Sequence, residues 1–186
     1  MSKISIESKD SQVRAMAKMG LMAAIICILG PLSIPIGPVP ISFTNLAIYF
    51  ALYLLGTKKG TISYLIYMLL GLVGLPVFSG ATGGVQKLFG VTGGYIFGFI
   101  WMAIISGIFI EKWQDKYYMH LIGMVLGTAV CYLFGTVWFV LLAKCSVAYA
   151  LGICVFPFVP GDVIKMVIAI LLGSQIRKRL IKAGLY

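Results

Sequence analysis

The charged residues of this sequence fall in short groups between long apolar runs, and that spacing dictates the solvent in which the chain folds. Only 11% of the 186 residues are charged, 61% are hydrophobic, and the mean hydropathy is +1.04. A soluble domain of this size needs more polar residues to cover its surface. Lipid is therefore the solvent, and an all-α integral membrane protein follows. Each crossing takes about 20 apolar residues. Five or six helices would nearly exhaust the chain, so residues 1–186 form one transmembrane domain with no folded extramembrane part.

Proline, glycine and charge divide the runs. Helices are expected over residues 13–29, 42–55, 61–75, 93–110 and 118–142, with a sixth from about 161 into the basic tail. The first run follows a polar segment and lacks a cleavage site, so it reads as a retained span. Gly30 and Pro31 stop the first helix. The four prolines between Pro31 and Pro40 favour extended backbone. Gly56 to Gly60 reads as a tight polar turn. Residues 76–92 read as a glycine-rich loop, and 144–160 as a loop with room for a short helical piece.

The chain carries 15 Lys and Arg against 5 Asp and Glu. These positive charges form no aromatic-interleaved patch, so nucleic acid is not the expected partner. They act as topology signals instead. With the N-terminus cytoplasmic, six helices leave Lys87 and Lys144 outside and Lys165 within a helix, and place the other twelve of fifteen basic residues inside. Both termini are then cytoplasmic, and the Gly- and Pro-rich loops lie on the outer face.

The acids sharpen this picture. Glu7, Asp10, Glu111 and Asp115 lie in the cytoplasmic groups; Asp162 alone does not. Asp162 and Lys165 are spaced i, i+3 and share a helix face. An Asp or Lys at the centre of a membrane helix costs roughly 2.5–3.5 kcal/mol, so two near a helix start need a reason. Either Asp162 caps the helix with Lys165 as its counterion, or the pair faces a ligand cavity.

Gly83, Gly84 and Gly93 in or beside the 76–92 loop permit tight turns and close approach of backbone to a ligand. Phe78, Phe89 and Tyr95 are candidate walls of an apolar pocket. No Gly-Lys-Ser/Thr follows the glycines, so the run is not a P-loop and a nucleotide site has little support. Gly20 and Ala24, spaced i, i+4, form a small-residue face suited to helix contact. The four cysteines form no CxxC pair and His120 is the lone histidine, so no metal site is expected. No set of residues suggests an enzyme, although a membrane enzyme using Asp162 as base and a ligand-free scaffold are the alternatives from other classes.

Several segments together resemble one family. Gly71-Leu-Val-Gly-Leu-Pro-Val-Phe-Ser-Gly-Ala-Thr-Gly-Gly84 and Leu88-Phe-Gly-Val-Thr-Gly-Gly-Tyr-Ile-Phe-Gly-Phe99 form the long central motif. Val39-Pro-Ile-Ser-Phe-Thr44 and Pro160-Gly-Asp-Val-Ile-Lys165 flank it. These resemble the BioY family, the biotin-binding S components of energy-coupling factor (ECF) transporters. The chain departs from the family pattern at Val91, where a proline is expected, and at Ser42 to Thr44, where Thr-Leu-Gln is expected.

The resemblance implies a six-helix S component in a bacterial cell membrane that takes biotin from outside. It also implies a transmembrane T subunit and two cytoplasmic ATPases as partners, with the Gly20–Ala24 face meeting the T subunit. The chain itself needs no cofactor. Biotin's ureido ring offers two N–H donors beside one carbonyl acceptor. Asp162 can accept from that ring and Lys165 can donate to its oxygen. Alternatively, Lys165 pairs with the valerate carboxylate. We favour both residues at one end of biotin, with loop N–H groups, Thr44 or Asn45 near the other.

Overall fold

The computed structural model describes residues 2–35 and 38–184, and side chains from residue 12 onward within that range. Ile36 and Gly37 of the predicted extended stretch lie outside the described residues, as do the side chains of Lys3, Glu7, Lys9 and Asp10. Helix α1 (Ser2–Leu29) starts well before the predicted residue 13 and ends where Gly30 and Pro31 require. The proline-rich segment then folds back as a two-stranded antiparallel ribbon, β1 (Ser33–Ile34) against β2 (Ile41–Ser42). The turn delivers Thr44 and Asn45 to the start of α2 (Thr44–Leu72).

Helix α2 takes the place of two predicted helices. It is one helical run broken at a single residue, Gly56, with φ 80° and ψ 176°. That left-handed conformation suits glycine. The break leaves fresh N–H groups at the start of the second half, and Glu111 takes the first of them: its carboxylate accepts from the Thr57 N–H at 2.8 Å and from the Thr57 hydroxyl at 2.7 Å. The predicted five-residue turn is thus only one non-helical residue, because the acid across the interface caps the new helix.

The 73–92 segment contains a one-turn helix, α3 (Val85–Leu88). It is pinned by Phe78, whose backbone bridges to Thr82 and whose ring lies edge-on to Tyr67 at 5.5 Å. Gly71 lies beneath that ring, and a Cβ there would come within 2.2 Å of Phe78. Helices α4 (Gly93–Lys112) and α5 (Tyr117–Ala143) pack as a close pair. A Cβ on Gly98 would sit 3.0 Å from the Cys131 backbone, so glycine permits this approach. Helix α6 (Val147–Cys154) fills the predicted 144–160 loop. Helix α7 (Val159–Ile168) runs through a π-turn (Ala169–Gly173) into α8 (Ser174–Lys182).

Among the described residues, four helical runs are long and apolar enough to cross a membrane: Gln12–Leu29, Gly93–Lys112, Tyr117–Ala143 and Val159–Lys182, the last formed by α7, the π-turn and α8. This differs from the expected six, because the break at Gly56 splits α2 into halves of residues 44–55 and 57–72, both shorter than a full crossing. Leu133 and Leu141 are 62% and 71% exposed, whereas Tyr49, Tyr53 and Tyr64 are completely buried. The polar tips of those tyrosines are satisfied inside: Tyr49 pairs with Thr128 at 2.8 Å, Tyr53 with His120 at 2.9 Å, and Tyr64 donates to the Ile96 carbonyl at 2.8 Å. Apolar side chains outward and bonded hydroxyls inward are the arrangement lipid demands.

Candidate ligand-binding site

Asp162 and Lys165 sit in the first turns of α7, which Pro160 opens. Both are only 7% exposed. Asp162 makes no capping bond to its own helix. Its Oδ1 instead accepts from Lys165 Nζ at 3.0 Å and from Asn45 Nδ2 at 2.8 Å. Its Oδ2 accepts from the Tyr132 hydroxyl at 2.5 Å. The three protons of Lys165 have three acceptors: the Ser42 carbonyl at 2.7 Å, Asn45 Oδ1 at 3.1 Å and Asp162 Oδ1. Three helices and the β-ribbon thus converge on one ion pair. A buried pair persists only when its remaining lone pairs and protons are satisfied, as they are here. The cluster is net neutral and presents donors and acceptors side by side.

Beside the cluster lies a cavity of about 70 Å³, large enough for several waters. Tyr64 and Tyr67 from α2, Phe78 from the 73–92 segment, Tyr95 and Phe99 from α4, and Phe158 supply its aromatic wall. The Tyr95 hydroxyl donates to the Cys154 carbonyl at 2.9 Å, which ties the wall to α6. Lys87, from α3, also reaches the cavity. Among the described residues no hydrogen bond or ion pair engages it, and burial pulls its ammonium below the ordinary lysine value. The cavity therefore joins a saturated polar cluster, an aromatic wall and one uncommitted cation.

Of the residues singled out from sequence, Asp162, Lys165, Thr44, Asn45, Phe78 and Tyr95 line this cavity. Asn45 is displaced from its expected place: it bridges Asp162 and Lys165 instead of standing at the opposite end. Thr44 accepts from the Ser42 hydroxyl at 3.0 Å. Gly83, Gly84, Gly93 and Phe89 are not on the wall. The glycines shape the segment instead. A Cβ on Gly83 would come within 2.2 Å of the Leu75 carbonyl, one on Gly93 within 1.9 Å of the Leu88 carbonyl, and Gly84 has φ 89°. Phe89 is 55% exposed. Gly20 and Ala24 lie on the open face of α1, and a Cβ at Gly20 would meet nothing within 4 Å. Sequence reasoning missed Tyr132, Lys87, Tyr64 and Tyr67. The i, i+3 spacing of the last two was the one local signal available.

Comparison with known proteins gives a consistent result. The BioY family profile matches residues 3–182. The Thermotoga maritima protein named biotin transporter BioY is 38% identical over 89% of this chain and 97% of its own length. Biotin transporter BioY2 of Lactococcus lactis is 30% identical over 96% of this chain and 98% of its own. A crystal structure described as the S-component for biotin from an ECF-type ABC transporter superposes with a TM-score of 0.83 at 33% identity, covering 91% of this chain and 93% of that one. With the fold, the central motif and the full-length matches in agreement, this chain belongs to the BioY family.

Proposed function

We propose that this protein is the high-affinity biotin-binding S component of an ECF-type transporter, a transport subunit and not an enzyme. The observation that carries the reading is the neutral cluster of Asn45, Tyr132, Asp162 and Lys165 on the wall of an aromatic cavity. A ureido ring needs acceptors for two N–H groups and a donor for one carbonyl. Asp162 supplies the acceptors, and Lys165 with Asn45 supplies donors, as contacts to the ligand replace bonds within the cluster. The aromatic wall takes the apolar bicycle and chain. Lys87 meets the valerate carboxylate, so Lys165 is not needed there.

In this reading the halves of α2 are two short crossings. They bring the total to six, with both termini on the cytoplasmic side and the 73–92 segment outside. The distribution of basic residues supports that orientation. The open Gly20–Ala24 face of α1 receives the transmembrane T subunit, and two cytoplasmic ATPases supply the energy. Calorimetry with purified protein and a panel of vitamins tests the proposal. Nanomolar binding of biotin alone, without turnover, is expected; tight binding of a different vitamin, or silence across the panel, contradicts it.

A further inference from the structure

A second and larger space lies behind the ligand cavity. It is a groove of about 570 Å³ between α5 and α6, lined by Leu133, Val137 and Leu141 on one side and Val147, Leu151 and Val155 on the other. Its lining is almost wholly aliphatic, and Leu133, Val137, Leu141 and Val147 are each more than half exposed on the membrane-facing surface. Tyr132 lines both spaces, and among the described residues no other does so. Its helical neighbours divide between them: Thr128 and Cys131 face the cavity, whereas Ala129, Leu133 and Thr136 face the groove.

Tyr132 is also held in place more firmly than a wall residue needs. Its hydroxyl donates to Asp162 Oδ2 at 2.5 Å, and that oxygen has no other protein donor among the described residues. One side chain therefore stands between a small polar site and a large apolar space, with its tip locked to the acid of that site. We infer that Tyr132 is the specificity-determining partition of the site: it limits the bulk a ligand can carry next to Asp162 by closing the cavity off from the groove. The hydroxyl holds Asp162 Oδ2 for the ligand, and the ring, carried across the opening by α5, excludes substituents and lipid chains.

The inference rests on the proposed placement of the ureido ring at Asp162. It separates two roles within one residue. Tyr132→Phe keeps the ring and removes the hydroxyl; Tyr132→Ala removes both. Tyr132→Leu is a second opened variant, whose apolar bulk preserves helix packing should the alanine variant fail to fold. Each is compared with the wild type in lipid nanodiscs for binding of biotin and of biotin carrying a butyl group on the ring carbon next to a ureido nitrogen, which keeps both N–H donors.

The wild type is expected to reject the butyl compound by about 10- to 100-fold relative to biotin, since overpacking a closed site costs this much. Tyr132→Phe should weaken both ligands by about tenfold, from the lost bond to a charged acceptor, and keep the wild-type ratio. Tyr132→Ala and Tyr132→Leu should bring the two affinities within about threefold of each other, because the butyl group now enters the groove. A wild-type ratio retained in both opened variants overturns the inference, as does a ratio lost in Tyr132→Phe. A wild type that binds no biotin instead defeats the functional reading itself.

Discussion

The two ends of the cavity are built on opposite plans. At the α7 end, every charge is already answered: Asp162 has three donors and Lys165 three acceptors, contributed by α2, α5, α7 and β2. At the 73–92 end, the wall is a chain of turns pinned by Phe78, and Lys87 has no partner among the described residues. The first end is preorganised on helices, which hold polar groups in fixed geometry at little cost on binding. The second is a loop with one cation that the described residues leave without a partner. Under the proposed function, selectivity falls to the helical end, and closure and charge matching to the loop end.

Breaking the helical end should cost most. Asp162→Asn leaves the Lys165 charge buried without its counterion, and biotin affinity should fall by about 2–5 kcal/mol, read by calorimetry. A loss of less than about 1 kcal/mol, or roughly fivefold, would remove Asp162 from the site. At the loop end, Lys87→Gln removes one charge-assisted bond and should cost about 1.5–3 kcal/mol. This effect carries a pH signature. Lys87 must be protonated to meet a carboxylate, and burial holds its proton less tightly than usual. Affinity should therefore be full at neutral pH and decline as pH rises, beginning below the ordinary lysine range. In Lys87→Gln that decline should disappear, and a decline unchanged in the variant would assign it to another group.

Closure should show as a contrast in mobility. Hydrogen exchange in residues 76–92 should slow on adding biotin, while the first turns of α2 and α7 change little. Equal protection at both ends would erase the distinction drawn between them. The smallest effect on ligand affinity belongs to the α1 face. Gly20→Leu with Ala24→Leu should leave biotin binding within about twofold, since neither residue touches the cavity, yet abolish co-purification with the T subunit.

These two ends were also unequally legible in the sequence. Asp162 and Lys165 stood out because one acid lay apart from the charged groups, at helical spacing from a lysine. Tyr132 could not be seen that way: it lies 30 residues from Asp162, on a helix where a tyrosine reads as an interface aromatic. Asn45 lies 117 residues away from its partner Asp162, and only the β-ribbon's return brings it in. Lys87 was read as one of two outer charges, a topology signal, because nothing local distinguishes a ligand cation from a solvated one. Glycines were over-read as ligand contacts. Gly83, Gly84 and Gly93 serve the backbone of the segment: the steric requirement at Gly83 and Gly93 shows only once Leu75 and Leu88 are placed, and that at Gly84 lies in its φ of 89°. The helix count went the same way: Gly56 to Gly60 looked like a turn because the cap from Glu111 is a tertiary contact.

The most direct test of the two-ended account compares biotin with its carboxyl amide, which keeps the ureido ring and removes the anionic end. The affinity ratio is measured by calorimetry in wild type, Lys87→Gln and Asp162→Asn. The account predicts that wild type and Asp162→Asn favour biotin by the same factor, about tenfold or more, and that Lys87→Gln binds the two ligands equally. A preference that survives in Lys87→Gln and grows in Asp162→Asn would contradict it, since Lys165, freed of its counterion, would then be meeting the carboxylate at the α7 end.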